Sequence, residues 1–417
     1  MRRALFYLAL FLFGLLPVRA GELPDHPLTL REALELLRAR NPVLASNRAH
    51  AEAVQAGEIT ANLRPNPVFT SANEDFNVFK PSEFDIRRKQ EFSDNVLQLI
   101  ERGHKRRFRV ESARWATALA LEGYRDIQRQ LEFAVKAGFV AMVLAKSNLQ
   151  LARDNLRDYA ETVRLNGIRL KAGDISPTDF DRIRGEQARF ENDLLNAQLA
   201  LDQVRVQLET LLGLSDLPEK FDIESELAAP ELNFSLEELF QRALANRPDY
   251  LAARDGVSKG EADVRLADAN GATDIAVGSE YKRNGPDNTI GFTVQIPLRI
   301  FDRNQGEKLR TRKELEAGRA NELAARIAVR ADVAQAQQAY RAALARAQLY
   351  SKDYLERARR VRDRVEFSFR NGGASLLDYL DALRSYRDTE LAWRAAYAQA
   401  ATAVHQLSLV TATELWP

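Results

Sequence analysis

No cysteine occurs among the 417 residues, which excludes disulfides, a thiol nucleophile and a lipid-anchored N-terminus. Methionine occurs twice and histidine four times. His26, His50, His104 and His405 are scattered, and none stands at metal-ligand spacing with a carboxylate, so neither a soft-metal nor a zinc site is legible. There is no glycine-rich phosphate loop. Sixty basic residues face 59 acidic ones, and a net charge of +1 leaves no electrostatic footprint for nucleic acid. These absences leave no catalytic residue, metal site or cofactor to name and argue against an enzyme. Long apolar runs are missing too. After Leu16 nothing approaches the ~20 residues of a spanning helix, so a mature chain that enters a membrane must do so through strands.

The composition is otherwise that of an ordered protein, 45% hydrophobic and 29% charged. Met1, Arg2 and Arg3 precede an apolar run, Ala4 to Leu16, which Val18, Arg19 and Ala20 close before Gly21. This reads as a signal peptide over 1–20; the run is too short for an uncleaved anchor.

The remainder is written twice. Leu28 to Arg40 predicts a helix capped by Thr29, and Pro42 restarts it after Asn41; Phe234 to Asn246 repeats this with Ser235 and Pro248. Thr29 to Ser235 and Pro42 to Pro248 both span 206 positions (235 − 29 and 248 − 42). A duplication is the economical explanation, with repeats over 21–227 and 228–417. Beyond each proline a helix continues to about Leu63 and Ala269. Strands follow. Thr289 to Ile296 alternates strictly, placing Ile290, Phe292, Val294 and Ile296 on one face, and Ile275 to Lys282 precedes it across a turn at Asn284, Gly285 and Pro286. That predicts a hairpin over about 275–300. The first copy, about 67–100, is less regular, with Pro67 to Asp75 and Phe84 to Ile100 flanking a polar connection that contains Pro81.

Coiled-coil hairpins come next, over about 104–213 and 304–411. Leu131, Val135, Gly138, Met142, Ala145, Leu149, Ala152, Leu156, Tyr159 and Val163 advance in steps of four and three. Val329, Val333, Ala336, Tyr340, Ala343, Ala347, Tyr350, Tyr354 and Val361 match them 198 residues later, with Arg357 as the one break. The return helices keep the rhythm, from Phe190 to Leu211 and from Trp393 to Val410. A helix from about His104 to Leu170 is on the order of 100 Å long, which predicts an elongated, mostly α molecule with a small β part at one end and helical tips at the other.

Both hairpin tips share one grammar. Gly173, Ser176 and Asp179 reappear as Gly372, Ser375 and Asp378, each 199 positions on (372 − 173). The glycine can end one helix in the left-handed conformation, and the serine can cap the next while the aspartate reaches back. Pro177 suits the first helical position. Capping alone accounts for Asp179 and Asp378. Asp381 lies outside that account, shares a face with Asp378, and in a symmetric oligomer would form a second acidic ring about the axis, a candidate gate for cations. Four strands cannot close a barrel, and open edges are excluded in lipid, so several chains must contribute to one wall; the competing reading is a soluble periplasmic coiled-coil scaffold whose strands pack on a core.

The duplicated halves, the paired Gly-x-x-Ser-x-x-Asp tips and the stretch from Ala61 to Pro67 (ANLRPNP) resemble the TolC-like outer-membrane efflux proteins. Ile296 to Gly306 (IPLRIFDRNQG) is similar to the heavy-metal, CzcC-like branch. The resemblance implies a homotrimer with a twelve-stranded barrel in outer-membrane lipid and a periplasmic α-barrel, docked to a periplasmic adaptor (membrane fusion) protein and an inner-membrane, proton-driven RND-type pump. It implies that Asp378 and Asp381 form the periplasmic gate with Asp179 as their counterpart, and that Gly173, Ser176, Gly372 and Ser375 lie where the adaptor docks, with Arg169 four residues before Gly173. Ser368 stands in Arg169's place in the second copy, and Ala374 where some relatives carry a locking arginine. A heavy-metal exporter is the first expectation, and a drug or type I protein-secretion exporter the alternative.

Overall fold

The computed structural model describes residues 26–74, 91–214, 221–224, 230–350 and 352–416. The expected signal peptide and the connection around Pro81 lie outside them. The described chain contains nine helices and four strands. It divides into two compact units: the described residues up to Ala45, those of Gln128–Leu239 and those from Val333 onward in one, Ser46–Ile127 and Phe240–Asp332 in the other. Each copy of the duplication therefore contributes to both units, so the repeat boundary near residue 227 is not a boundary of packing.

In the first unit, helix α1 (Leu30–Arg40) starts at Thr29, whose hydroxyl accepts the Glu32 amide while the Glu32 carboxylate accepts the Thr29 amide, a complete capping box. Asn41 then caps α2 (Pro42–Asn62) through Oδ1 to the amides of Val43 and Leu44, and its Nδ2 donates to the Leu211 carbonyl at 2.8 Å. Gly213 ends the return helix at φ +70°, and a Cβ there would lie 2.7 Å from the Arg40 carbonyl oxygen. Only glycine fits this crossing. The expected Ser235 cap also forms, at the start of α5 (Leu236–Asn246), with Glu238 as its partner.

The second unit carries the sheet. Strands β1 (Val68–Glu74), β2 (Glu91–Ile100), β3 (Ile275–Asn284) and β4 (Asp287–Gln295) pair antiparallel in the order β1-β2-β3-β4. The two hairpins thus join edge to edge, Ile100 opposite Ile275. Directly paired residues share a face. Phe69, Val96, Ser279 and Phe292 form one row, and Gln98, Val277 and Val294 the next, whereas the opposite face carries Thr70, Asn95, Glu280 and Gly291, then Ala72, Ser93, Lys282 and Thr289. Ile290, Phe292 and Val294 are 74%, 87% and 64% exposed, so the apolar face covers no core among the described residues. No described helix is long and apolar enough to cross a membrane.

Helix α3 (Lys105–Ala172) is one unbroken run of 68 residues, and its partner α4 (Pro177–Leu212) returns beside it. Val135, Met142, Leu149 and Tyr159 are buried along the expected seam. The second copy differs. Its long helix is divided into α7 (Gln305–Leu349) and α8 (Lys352–Arg370) before α9 (Leu376–Thr411) returns. Up to Ala347 the seam is as expected, with Val329, Val333, Ala336 and Tyr340 buried. Beyond it, Tyr354 and Val361 are exposed, and the inward positions are Leu355, Ala358, Arg362, Val365 and Phe369. The stripe has moved by one residue, a rotation of about 100°. One extra residue accounts for it: Val135 and Val333 are 198 apart, whereas Gly173 and Gly372 are 199 apart. A straight helix cannot keep both stripes facing one partner, and it is interrupted where the count changes.

Candidate functional site at the helical tips

Both tips close by the same backbone device. After α3, Gly173 (φ +83°) donates to the Leu170 carbonyl and Asp174 to that of Arg169; after α8, Gly372 (φ +78°) donates to Phe369 and Gly373 to Ser368. Arg169 and Ser368 thus serve the closure through their carbonyls, which explains why their side chains can differ. The Arg169 guanidinium instead lies over the Phe369 ring, 5.7 Å from its centroid. Ser176 accepts the Asp179 amide at 3.1 Å and donates its hydroxyl to the Asp179 carboxylate at 2.8 Å. At Ser375 the box is reciprocal: the Asp378 amide donates to the serine hydroxyl, and the Asp378 carboxylate accepts both the Ser375 amide and its hydroxyl. The Ser375 hydroxyl and amide hold the exposed Asp378 carboxyl below the usual carboxylate range. Asp381, one turn on, is exposed and, after Glu186, favours the charged form of Arg384.

Beneath the tips the hairpins share a core of Tyr159, Ile183, Phe190, Phe369, Tyr379 and Leu380, drawn from all four helices. Phe369 and Tyr379 stack in parallel at 5.0 Å, and Tyr159 meets Phe190 at 4.7 Å. Neither tyrosine hydroxyl is stranded: Tyr159 donates to the Ile183 carbonyl at 3.0 Å, and Tyr379 meets the Thr162 hydroxyl at 3.2 Å. Burial raises both phenols above their ordinary value. Beside this core, the Glu186 carboxylate, 4% exposed, takes a two-pronged contact from Arg384 at 3.1 and 2.6 Å, with Arg189 at 3.0 Å behind it. Asp193 and Arg387 form a second rung at 2.8 Å. A cavity of about 300 Å³ opens between the hairpins, bordered by Asn166, Arg169, Phe369, Arg370 and Tyr379. Asn166 is buried; its Nδ2 donates to the Thr162 carbonyl, and its Oδ1 has no partner among the described residues.

The structure therefore brings Asp378 and Asp381 onto one helix end and leaves Asp179 on the other hairpin. The glycine and serine pairs shape both turns. Glu186, Asp193, Arg384, Arg387 and Asn166 went unnoticed in the sequence, where isolated charges on helix surfaces read as solvated faces. Among the described residues no group of three histidines, aspartates or glutamates could hold a metal ion.

The family model for outer membrane efflux proteins matches residues 87–214 and 239–413, both copies of the duplication. The chain belongs to that family. As an outer membrane efflux protein it is a transport duct of the outer membrane that reaches into the periplasm, and its sheet and coiled coils are the parts for those two places. It is 28% identical over 364 residues to the cobalt-zinc-cadmium resistance protein CzcC of Cupriavidus metallidurans, covering 86% of this chain and 84% of that protein. The fold is that of a membrane protein from Pseudomonas aeruginosa, with a TM-score of 0.77 at 18% identity over 92% of this chain and 93% of the other. The channel CusC gives 0.76 at 18% identity over 94% and 95%.

Proposed function

We propose that this efflux protein is the outer-membrane duct of a tripartite exporter of divalent heavy-metal cations, passive in itself and working as a homotrimer. The observation that carries the substrate class is the similarity to a cobalt-zinc-cadmium resistance protein along 86% of the chain. The stretch from Ile296 to Gly306 agrees with it and has a structural task. It joins β4 to α7 with Leu298, Ile300 and Phe301 exposed at 80%, 62% and 89%, beside Arg299 and Arg303, the mixture that suits a membrane–water boundary. Oligomerisation follows from the sheet: β1 and β4 each leave one edge without a strand partner among the described residues, and such edges are excluded in lipid unless further chains cover them.

At the periplasmic end, Asp378 and Asp381 act as the gate, with Asp179 its counterpart in the first copy. Asp378 stays ionised because Ser375 holds it, and Asp381 adds a second charge one turn deeper. The duct passes a cation by attraction, without chelation. A periplasmic adaptor, linked to an inner-membrane pump, docks on the turns at Gly173, Ser176, Gly372 and Ser375, with Arg169 at their margin. Deleting the gene and comparing tolerance to zinc, cobalt, cadmium, nickel, copper and silver with tolerance to a drug panel tests the substrate class. Lost metal tolerance is expected; unchanged metal tolerance with lost drug tolerance transfers the protein to a drug exporter.

A further inference from the structure

Helix α3 begins five residues after β2 ends at Ile100, and its first turn has the wrong charge for a helix start. Lys105, Arg106 and Arg107 open it and no acidic residue stands in that turn, although the aligned peptide dipoles already place positive charge there. Two nearby cations are neutralised within the chain: Lys105 pairs with Asp274 at 2.7 Å, and Arg109 with Glu101 at 2.7 Å. Arg106, Arg107 and Arg114 have no carboxylate partner among the described residues, and the Arg107 guanidinium lies over the Phe108 ring at 6.0 Å. These three line a groove of about 730 Å³ together with Asn62, Glu111 and Trp115. The one acid there, Glu111, is paired with Arg265 at 2.6 Å, so the groove keeps an excess of positive charge.

The duplication supplies an internal control. His104 (φ +60°) and Asn304 (φ +64°) hold the same left-handed position before the two long helices, and each accepts the amide four residues on, at Phe108 and Lys308. Counting from them, Arg106, Arg107 and Arg114 correspond to Gly306, Glu307 and Glu314. In the second copy an acid therefore sits in the first turn, and the arginines of the early helix are paired, Arg310 with both Glu307 and Glu314 and Arg312 with Asp268 at 3.7 Å. The same junction, built twice, is self-neutralised once and left cationic once. Folding does not require the uncompensated charge, and such a local violation of helix chemistry marks a functional position.

We propose that this groove binds the phosphate group of an anionic phospholipid, such as phosphatidylglycerol, in the periplasmic leaflet of the outer membrane. Depth supports this source. Arg114 is nine residues into α3, about 14 Å along the axis from its start, and arginine side chains reach back toward headgroups while an indole such as Trp115 favours the interface. The helix N-terminus adds its amides to the guanidinium donors, a combination suited to phosphate. The inference rests on the outer-membrane placement and is independent of what the duct exports.

The test is native mass spectrometry of the full-length protein, delipidated in detergent and titrated with phosphatidylglycerol or phosphatidylcholine. Binding of phosphatidylglycerol is expected, and it falls at least tenfold in R106Q/R107Q/R114Q, since each basic residue near an anionic surface contributes roughly fivefold. The control R310Q leaves it unchanged. Inorganic phosphate is the second arm: if millimolar phosphate displaces the lipid completely, a free anion is the ligand and the lipid assignment is overturned. Equal binding of the two lipids, or wild-type binding by the triple variant, also overturns it. Loss of the oligomer in the triple variant with lipid binding intact shows that the arginines face a neighbouring copy instead. If the triple variant does not fold, the wild-type contrast between the two lipids decides alone.

Discussion

The contact between Glu186 and Arg384 should set how readily the two hairpins part. Glu186 is 4% exposed and Arg384 is 41% exposed, so the two partners respond differently to removal of the other. Arg384→Ala strands a buried carboxylate with only Arg189, whose side chain is 62% exposed, to answer it. Breaking a buried pair costs about 3–5 kcal/mol, and the surviving Arg189 contact brings the expectation to roughly 2–3 kcal/mol. Glu186→Gln costs only about 1 kcal/mol, because the arginine it releases regains water. The double variant should then be less destabilised than the sum by about 1–2 kcal/mol. Hydrogen exchange on the full chain in detergent reads this locally: amides of Leu380 to Leu383 are expected to exchange about 30- to 150-fold faster in Arg384→Ala. The pH dependence carries a sign. Burial alone would raise the Glu186 carboxyl, but Arg384, with Arg189 and Arg387 behind it, holds it below its ordinary value of 4.5. The pair's contribution is therefore fully present above about pH 4.5 and is lost as the carboxylate protonates at lower pH. Strict additivity of the two single effects, within ~0.5 kcal/mol, would refute the pairing as the link between hairpins.

Three further outcomes are expected. Burial, then the Lys136 charge, pushes His405 from its ordinary 6.5 down to about 4 in the fold, so the unfolded chain takes the proton first. Stability present above pH 6.5 should decline by up to about 3 kcal/mol toward pH 4, and His405→Phe should flatten a melting series over that range. Gly213→Ala imposes a side chain on a positive φ and on the Arg40 carbonyl, and should destabilise by roughly 2 kcal/mol or more in denaturant titrations, whereas Gly185→Ala, with open space around it, should not. Asp378→Ala with Asp381→Ala should weaken cation preference or raise conductance in planar bilayers, while Ser375→Ala should cost about 1 kcal/mol of helix start. Unaltered selectivity and conductance in the aspartate variant would reduce both acids to helix-end chemistry.

Much of the architecture was already legible in the amino-acid sequence, because it rests on local rules. Thr29, Ser176, Ser235 and Ser375 start helices through hydrogen bonds that span three residues, and Gly173 and Gly372 answer to φ alone. The α4 limits, Pro177–Leu212, follow from a proline at one end and a glycine at the other. Alternation from Ile290 to Val294 needs no partner to be recognised. Tertiary structure decided what depends on rotation and on distance. The interruption between α7 and α8 was latent in two spacings, 198 and 199, but only packing shows that the surplus residue turns Tyr354 and Val361 outward and Leu355 and Ala358 inward. The rungs from Glu186 to Arg384 and from Asp193 to Arg387 join residues almost 200 positions apart, and nothing in either local segment distinguishes them from solvated charges. The same holds for Arg106, Arg107 and Arg114: their sign is plain in the sequence, whereas their lack of partners is a property of the folded chain, since an ion pair is a relation between surfaces that folding alone brings together.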